Sequence, residues 1–337
     1  MPFFINYPTW LHPEIIPGLP FRWYGVMYMI AFLLSYILFK KQVKEKNLDY
    51  SEDTVTNLFF WAILGVLIGG RVFSTLFYDQ SGKYWMNPLL IFWPFDSNFN
   101  FTGLQGMSYH GGLLGVIIAV IIYCRKNRLN ILETGDMFAA AAPAGYTFGR
   151  LGNFINGELF GRVTSSPWGM VFPDAPSFPV KEGWVLETAL KAGIDVTSIG
   201  EYVNLPRHPS QLYEALFEGI LLWVFLWFFM RKRKLPGGTL IGAYIAGYGL
   251  VRFFIEYFRE PDQEIGFILS LSSNPGHIYR FDSLLNFSQG QLLCFFMIAG
   301  GLLFMYILKK NENKKAAAEE MRETKLKKGL KDLRKKK

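Results

Sequence analysis

The chain has 337 residues, of which 51% are hydrophobic and 17% aromatic, and its mean hydropathy is positive at +0.18. This balance argues against an ordinary soluble enzyme and for a polytopic membrane protein. The net charge of +8 does not call for nucleic acid, because residues 309–337 alone hold thirteen Lys or Arg, and a basic tail behind an apolar helix reads as cytoplasmic and membrane-facing.

The opening residues 1–23, rich in Pro and aromatics, read as a segment lying on the membrane surface. The first apolar run, 24–39, lacks a basic n-region and a small-residue cleavage site, so it is expected to stay as a helix rather than be removed. It stops at Lys40, Lys41, Lys44 and Lys46. Further runs cover 55–77, 107–123 and 136–155, the third stopping at Arg125, Lys126 and Arg128. Trp85, Trp93 and Pro94 between the second and third suit an interfacial belt.

Residues 156–207 are polar, rich in Gly and Pro and too long for a connector, so a small head domain outside the bilayer is expected there. Runs at 209–230, ending in Arg231-Lys232-Arg233-Lys234, at 239–258 and at 291–308 complete the set, and 309–337 is expected to be a basic cytoplasmic tail, mobile rather than helical by composition with the helical reading kept open. The organisation predicted is therefore an all-α polytopic membrane protein of about seven transmembrane helices. Helices one to four lie in 24–155 and five to seven in 208–308, with the head domain between helices four and five. Basic clusters follow helices one, three, five and seven, which puts the N-terminus outside and the C-terminus in the cytoplasm. Cys124 and Cys294 sit in apolar runs nearer opposite faces, which leaves no disulfide or metal site and makes them small buried hydrophobes.

The stretch Gly145-Tyr146-Thr147-Phe148-Gly149-Arg150-Leu151-Gly152-Asn153-Phe154-Ile155-Asn156-Gly157-Glu158-Leu159-Phe160-Gly161 ends the fourth run with a guanidinium, carboxamides and five glycines. On a helix Arg150, Asn153 and Gly157 share one face. An arginine there is costly against lipid, so it should face the bundle interior and meet an anion. The topology places Tyr24, His110, Arg150, Glu214 with Gln211, and Arg252 with Tyr248 and Glu256 in the outer half of the membrane. Blander readings stand beside these: Arg252–Glu256 and Glu158–Arg162 as structural i,i+4 pairs, His110 as a helix-start hydrogen bonder, Arg71 and Asp136 as structural charges. Two arginines in a lipid-accessible pocket suit a phosphate, which guanidinium binds bidentately. A nearby histidine suits proton transfer. The residues alone reach an enzyme or carrier acting on an anionic phospholipid.

The block Gly149-Arg150-Leu151-Gly152-Asn153-Phe154-Ile155-Asn156-Gly157-Glu158, with Gly161, resembles the signature of bacterial prolipoprotein diacylglyceryl transferases. The resemblance extends through Arg22-Trp23-Tyr24-Gly25, Tyr109-His110-Gly111-Gly112-Leu113, Arg207-His208-Pro209-Ser210-Gln211-Leu212-Tyr213-Glu214 and Tyr248-Gly249-Leu250-Val251-Arg252-Phe253-Phe254-Ile255-Glu256, in the family's order. The loops 79–105, 162–206 and 259–290 and the tail lie outside it. It implies transfer of the sn-1,2-diacylglyceryl group of phosphatidylglycerol to the lipobox cysteine of a prolipoprotein, in the bacterial inner membrane, with the active site toward the outer leaflet. No metal or organic cofactor is implied, and the partners are phosphatidylglycerol, the lipobox peptide and membrane lipids, not nucleic acid.

Carried over residue by residue, the resemblance implies that Arg150 and Arg252 hold the phosphate and His110 is the general base. A scheme in which the arginines assist and His110 only orients substrate stays open. Tyr24, Tyr248, Asn153, Glu158, Gly161 and Glu256 are implied to bind or position the head group, with less defined roles for His208, Gln211 and Glu214. The rival is a phospholipid-binding transporter or flippase, which would want ionisable residues across both halves of the membrane. The cytoplasmic halves offer few.

Overall fold

A computed structural model describes residues 4–335 apart from 17, 19–20, 80, 96–97, 101–102, 104–105, 197–199, 262–265, 272–273, 275 and 277, with the backbone alone for 326–335. The chain is mostly helical. Its principal helices are α1 (Trp23–Glu45), α2 (Glu52–Phe73), α3 (Tyr109–Lys126), α4 (Ile131–Ile155), the short α5 (Gly183–Lys191), the helical run α6 (Ser210–Met230), α7 (Thr239–Ile255) and α8 (Gln289–Lys335). Among the described residues five helices are long and apolar enough to cross a membrane: α1, α2 with its continuation to Tyr78, α3, α6 and the first part of α8. This is the make-up of an all-α multi-pass membrane protein. Helix α4 has 25 residues but carries Glu133, Asp136, Arg150 and Asn153, and α7 has only 17 residues.

Two compact units divide the chain. The first takes Met1–Ile37 and Asp136–Lys337, the second Leu38–Gly135.

In the second unit α2 starts at Ser51, whose hydroxyl accepts Thr54 N–H at 3.1 Å, with Glu52 and Asp53 in the positive first turn. Its Gly65 and Gly69 face Gly111 and Gly115 of α3 so closely that a Cβ on Gly69 would stand 2.8 Å from Gly115 Cα. Such backbone contact is available only to glycine. Gly115→Ala should therefore cost about 1–3 kcal/mol through overpacking. Gly25→Ala, with nothing within 4 Å of the added carbon, should leave thermal unfolding in detergent unchanged. Equal midpoints for the two variants would refute this account of the crossing. Arg71, at 4% exposure, donates to the Ile91 carbonyl at 2.5 Å and ties the segment after α2 to that helix, the structural role expected for it.

In the first unit the opening residues are tied to segments far along the chain: β1 (Ile5–Asn6) pairs in parallel with β2 (Met170–Val171), and the Tyr7 hydroxyl donates to the Phe154 and Ile155 carbonyls that end α4. Within 156–207, β3 (Phe178–Pro179) pairs with β4 (Tyr202–Val203), and α5 packs Trp184, Val185 and Ala189 against Phe178, Val203 and Leu205. Residues 267–269 and 287–288 form a further strand pair, β5 and β6. Asp136, read as structural, closes the α7 N-terminus: its carboxylate accepts Gly238 N–H at 2.8 Å and Ile241 N–H at 3.0 Å, satisfying orphan donors at the positive helix end. Cys124 and Cys294 are free and buried.

Of the two readings open for the tail, the structure has the helical one. Residues 309–335 continue α8 without a break, giving 47 helical residues, about 70 Å at 1.5 Å per residue. From Lys309 to Lys325 there is no Gly or Pro, and Ala, Glu, Lys and Arg dominate, so propensity carries the helix past the apolar run. The Glu158–Arg162 pair does not form, because α4 stops at Ile155. Arg162 turns instead to the Arg259 carbonyl at 2.6 Å and over the Phe267 ring at 5.0 Å.

Candidate active site

The first unit collects three of the motif blocks on one buried carboxylate. Helix α6 begins with Ser210, and one turn later Glu214 points into the protein with no exposed surface. Immediately beyond it α6 widens into a π-helical turn over Ala215–Leu221, a distortion that recurs at functional sites and here also carries the buried Glu218. Arg150 Nε of α4 lies 2.8 Å from Glu214 Oε2, Arg252 Nη1 of α7 lies 3.1 Å from the same oxygen, and Arg259 Nη1 donates to Oε1 at 2.6 Å. Arg252 in the last turn of α7 and Glu256, which caps that helix, stand one turn apart, and their side chains meet at 3.2 Å. Glu256 also accepts Ser288 Oγ–H at 3.1 Å, so the structural pair exists inside the larger cluster rather than instead of it.

From Arg150 a second chain of contacts leads outward. Its Nη1 donates to Asn153 Oδ1 at 3.4 Å, confirming that these two share a helix face, and Asn153 Nδ2 donates to Glu158 Oε1 at 2.9 Å. Gly157 leaves that face: it lies beyond the end of α4 with φ of 66°, and with Leu159 at φ 57° it turns the chain. A left-handed leucine costs of order 1 kcal/mol, and the turn is held by Gln211 Nε2 to the Glu158 carbonyl at 2.6 Å and Ser210 Oγ to the Leu159 carbonyl at 3.1 Å. Gly161 then donates its N–H to the His208 carbonyl at 2.8 Å, and a Cβ there would collide with the Phe258 carbonyl. Glycine is required at that approach.

Tyr24 on α1 lies against α4, its Cδ2 3.1 Å from where a Cβ on Gly152 would stand, and its hydroxyl meets that of Tyr28 at 3.0 Å. Tyr248 of α7 meets the Tyr146 ring edge-on at 5.8 Å between centroids. His208 is 8% exposed, and its Nδ1 meets the Tyr213 hydroxyl at 3.2 Å. His110 belongs to the second unit, where it opens α3 behind the Ser108 cap and its Nδ1 meets Tyr78 Oη at 3.2 Å. Among the described residues no cluster of His, Cys, Asp and Glu could hold a metal ion. The carboxylates here face guanidiniums instead.

A guanidinium–carboxylate cluster at the junction of motif-bearing helices is what an anion-handling site in a membrane protein requires, and comparison with known proteins gives it a family. Residues 13–307 match the family described as prolipoprotein diacylglyceryl transferase. The chain belongs to that family. It is 49% identical to the phosphatidylglycerol--prolipoprotein diacylglyceryl transferase of Treponema denticola, over 92% of this chain and 96% of that one. The protein of the same name from Treponema pallidum is 48% identical over 90% and 95%, and that of Borreliella burgdorferi 42% identical over 94% and 97%.

Three members of the cluster escaped the sequence reading of this family member: Tyr146, Glu218 and Arg259. Glu218 had a signal, since it follows Glu214 by four residues inside an apolar run, and an ionisable residue there is a site candidate by default. Tyr146 precedes Arg150 by four and donates no charge to the pattern. Arg259 sits past the helix end, where a loop arginine is unremarkable in sequence.

Burial, then the positive charge of Arg162, lowers the His208 imidazole to about 4. It is therefore neutral at physiological pH and offers the site no cation. Since the folded value lies below the unfolded value of about 6.5, the unfolded chain binds the extra proton, and this residue's contribution to stability is lost as pH falls from about 6.5 towards 4. His208→Gln should flatten the pH dependence of thermal unfolding in that window. Identical pH slopes for the two proteins would contradict it.

Proposed function

We propose that the protein transfers the sn-1,2-diacylglyceryl group of phosphatidylglycerol to the cysteine thiol of a prolipoprotein lipobox, forming a thioether and releasing glycerol-1-phosphate. The observation that carries this reading is the convergence of Arg150 and Arg252 at Glu214 in a multi-pass member of this family. A free thiol, with pKa about 8.5, is mostly protonated at neutral pH and needs a base to become the nucleophile. His110, in Tyr109-His110-Gly111-Gly112, is assigned that proton. As the glyceryl carbon–oxygen bond breaks, charge grows on the departing phosphate, and fixed guanidiniums in a low-dielectric site lower that barrier without reorganising.

In this scheme Arg150 and Arg252 hold the phosphate. Asn153 and Glu158 extend the site along the turn after α4, Tyr24 and Tyr248 orient the head group, and Glu256 sets the Arg252 fork. Gly161, His208 and Gln211 shape the wall, and Glu214 anchors the arginines. The arrangement in the membrane follows the basic clusters: seven spans counting α4 and α7, N-terminus outside, C-terminus in the cytoplasm of the bacterial inner membrane. Residues 156–207 form a head domain over the outer leaflet, where the lipobox segment docks. The lipid enters sideways between helices, since its acyl chains never leave the bilayer.

The test mixes purified protein in detergent with phosphatidylglycerol and a lipobox peptide and reads the peptide by mass spectrometry. A diacylglyceryl mass gain that disappears when the peptide cysteine is serine is the expected result. Phosphatidylglycerol bound without any gain would move the protein to the carrier class.

A further inference from the structure

The cluster has one hydroxyl hydrogen too few. Tyr146 Oη lies against Glu218 Oε2 and 3.4 Å from Glu214 Oε2, while accepting Arg150 Nε–H at 2.7 Å. With both glutamates ionised, the single Tyr146 hydrogen serves two carboxylates, and one buried contact becomes oxygen against oxygen with nothing between. Charge points the same way. Arg150, Arg252 and Arg259 supply three positive charges, and Glu214, Glu218 and Glu256 would cancel all three. A phosphodiester monoanion entering a neutral buried site would bring an uncompensated charge, which is expensive.

The three carboxylates are unequally held. Glu214 meets all three guanidiniums, and Glu256 meets Arg252, Arg259 and the Ser288 hydroxyl. Among the described residues Glu218 has one arginine contact, Arg252 Nη1 at 3.5 Å from Oε1, and that nitrogen lies nearer Glu214 Oε2, at 3.1 Å, so Glu218 Oε1 has no hydrogen-bond partner. Among the described residues, the ionisable groups around it apart from Tyr146, Arg150, Arg252 and Glu214 are Cys294 of α8 and, beside Tyr146 and Arg252, Tyr248 of α7 and Glu256 just past its end, and none of these adds a cation.

We propose that Glu218 is a positioning residue that carries its proton: it stands as a neutral carboxylic acid donating to Tyr146, so that the arginine cluster keeps one net positive charge for the phosphodiester. Tyr146 then accepts from Glu218 and Arg150 and donates its own hydrogen to Glu214, so each of the three contacts its hydroxyl makes has one hydrogen. With Glu218 neutral, Arg252 answers Glu214 at 3.1 Å and Glu256 at 3.2 Å, and no third carboxylate competes with a phosphate oxygen for its fork. This rests on the reading of the site as one for an anionic phospholipid, and it assigns a function to a carboxyl group that need not touch the lipid.

Two measurements test it. Infrared spectroscopy of the lipid-free protein should show a protonated-carboxyl stretch at neutral pH that is missing in Glu218→Gln and displaced in Tyr146→Phe. In titrations with short-chain phosphatidylglycerol, with phosphatidylcholine as control, wild-type affinity should fall by up to about tenfold per pH unit once Glu218 ionises. Glu218→Gln, which cannot ionise, should bind more tightly than wild type at alkaline pH. A spectrum with no such band, or a Glu218→Gln affinity that falls with pH in parallel with wild type, overturns the proposal. Phosphatidylglycerol that fails to bind wild type at any pH strikes the functional reading instead, and the infrared band still decides the protonation of Glu218.

Discussion

Arg150→Lys lowers diacylglyceryl transfer about 10²–10³-fold, the range seen when one preorganised donor to a developing oxyanion is lost. The charge is conserved, so this expectation separates geometry from electrostatics. Arg150 spends Nε on the Tyr146 hydroxyl and Glu214 and reaches Asn153 with Nη1, and its guanidinium lies 4.8 Å from the Tyr146 ring centroid. A planar fork does this while keeping an edge for a phosphate, whereas an ammonium is a point charge on a flexible stem. The loss should fall mainly on kcat, because the phosphate's charge grows only as the bond breaks. Steady-state assays with the lipobox peptide check it. A lysine variant within threefold of wild type would mean that Arg150 supplies only long-range charge.

Glu214→Ala is the other large effect, and it is a loss of the folded protein before it is a loss of activity. Removing one partner from a buried charge group is destabilising by about 3–5 kcal/mol, because the charges left behind have no compensation. Here three guanidiniums converge on the one carboxylate, from α4, α7 and the residues just past α7. The variant should show a much lower unfolding temperature in detergent and a reduced yield. Glu214→Gln, which keeps the volume and one acceptor oxygen, should lie between it and wild type. If Glu214→Ala unfolded at the wild-type temperature, the three arginines would have to be held by something other than this carboxylate.

The positions of the five long apolar helices were legible in the sequence because apolar length and the basic residues that end it are local properties, readable without knowing what packs where. The motif residues Arg150, Asn153, Glu158, Arg252 and Glu256 were legible for a related reason. Polar groups in an apolar run are conspicuous, and helical spacing puts i, i+3 and i+4 neighbours together, as the Arg150–Asn153 and Arg252–Glu256 contacts bear out. Helical spacing failed where the helix ended. The Glu158–Arg162 pair and the placing of Gly157 beside Arg150 both assumed a helix that stops at Ile155.

Tertiary structure alone decided which carboxylate serves which arginine. Glu214 is 64 residues from Arg150, and no local pattern announces that both, with Arg252 and Arg259, share one buried point. It also gave the opening residues a strand partner at Met170–Val171, a pairing across more than 160 residues that two-residue segments do not encode in their own composition. The physical reason is the same in each case. Hydropathy and helical period are properties of a segment, whereas the compensation of a buried charge belongs to whatever the fold brings within about 4 Å of it.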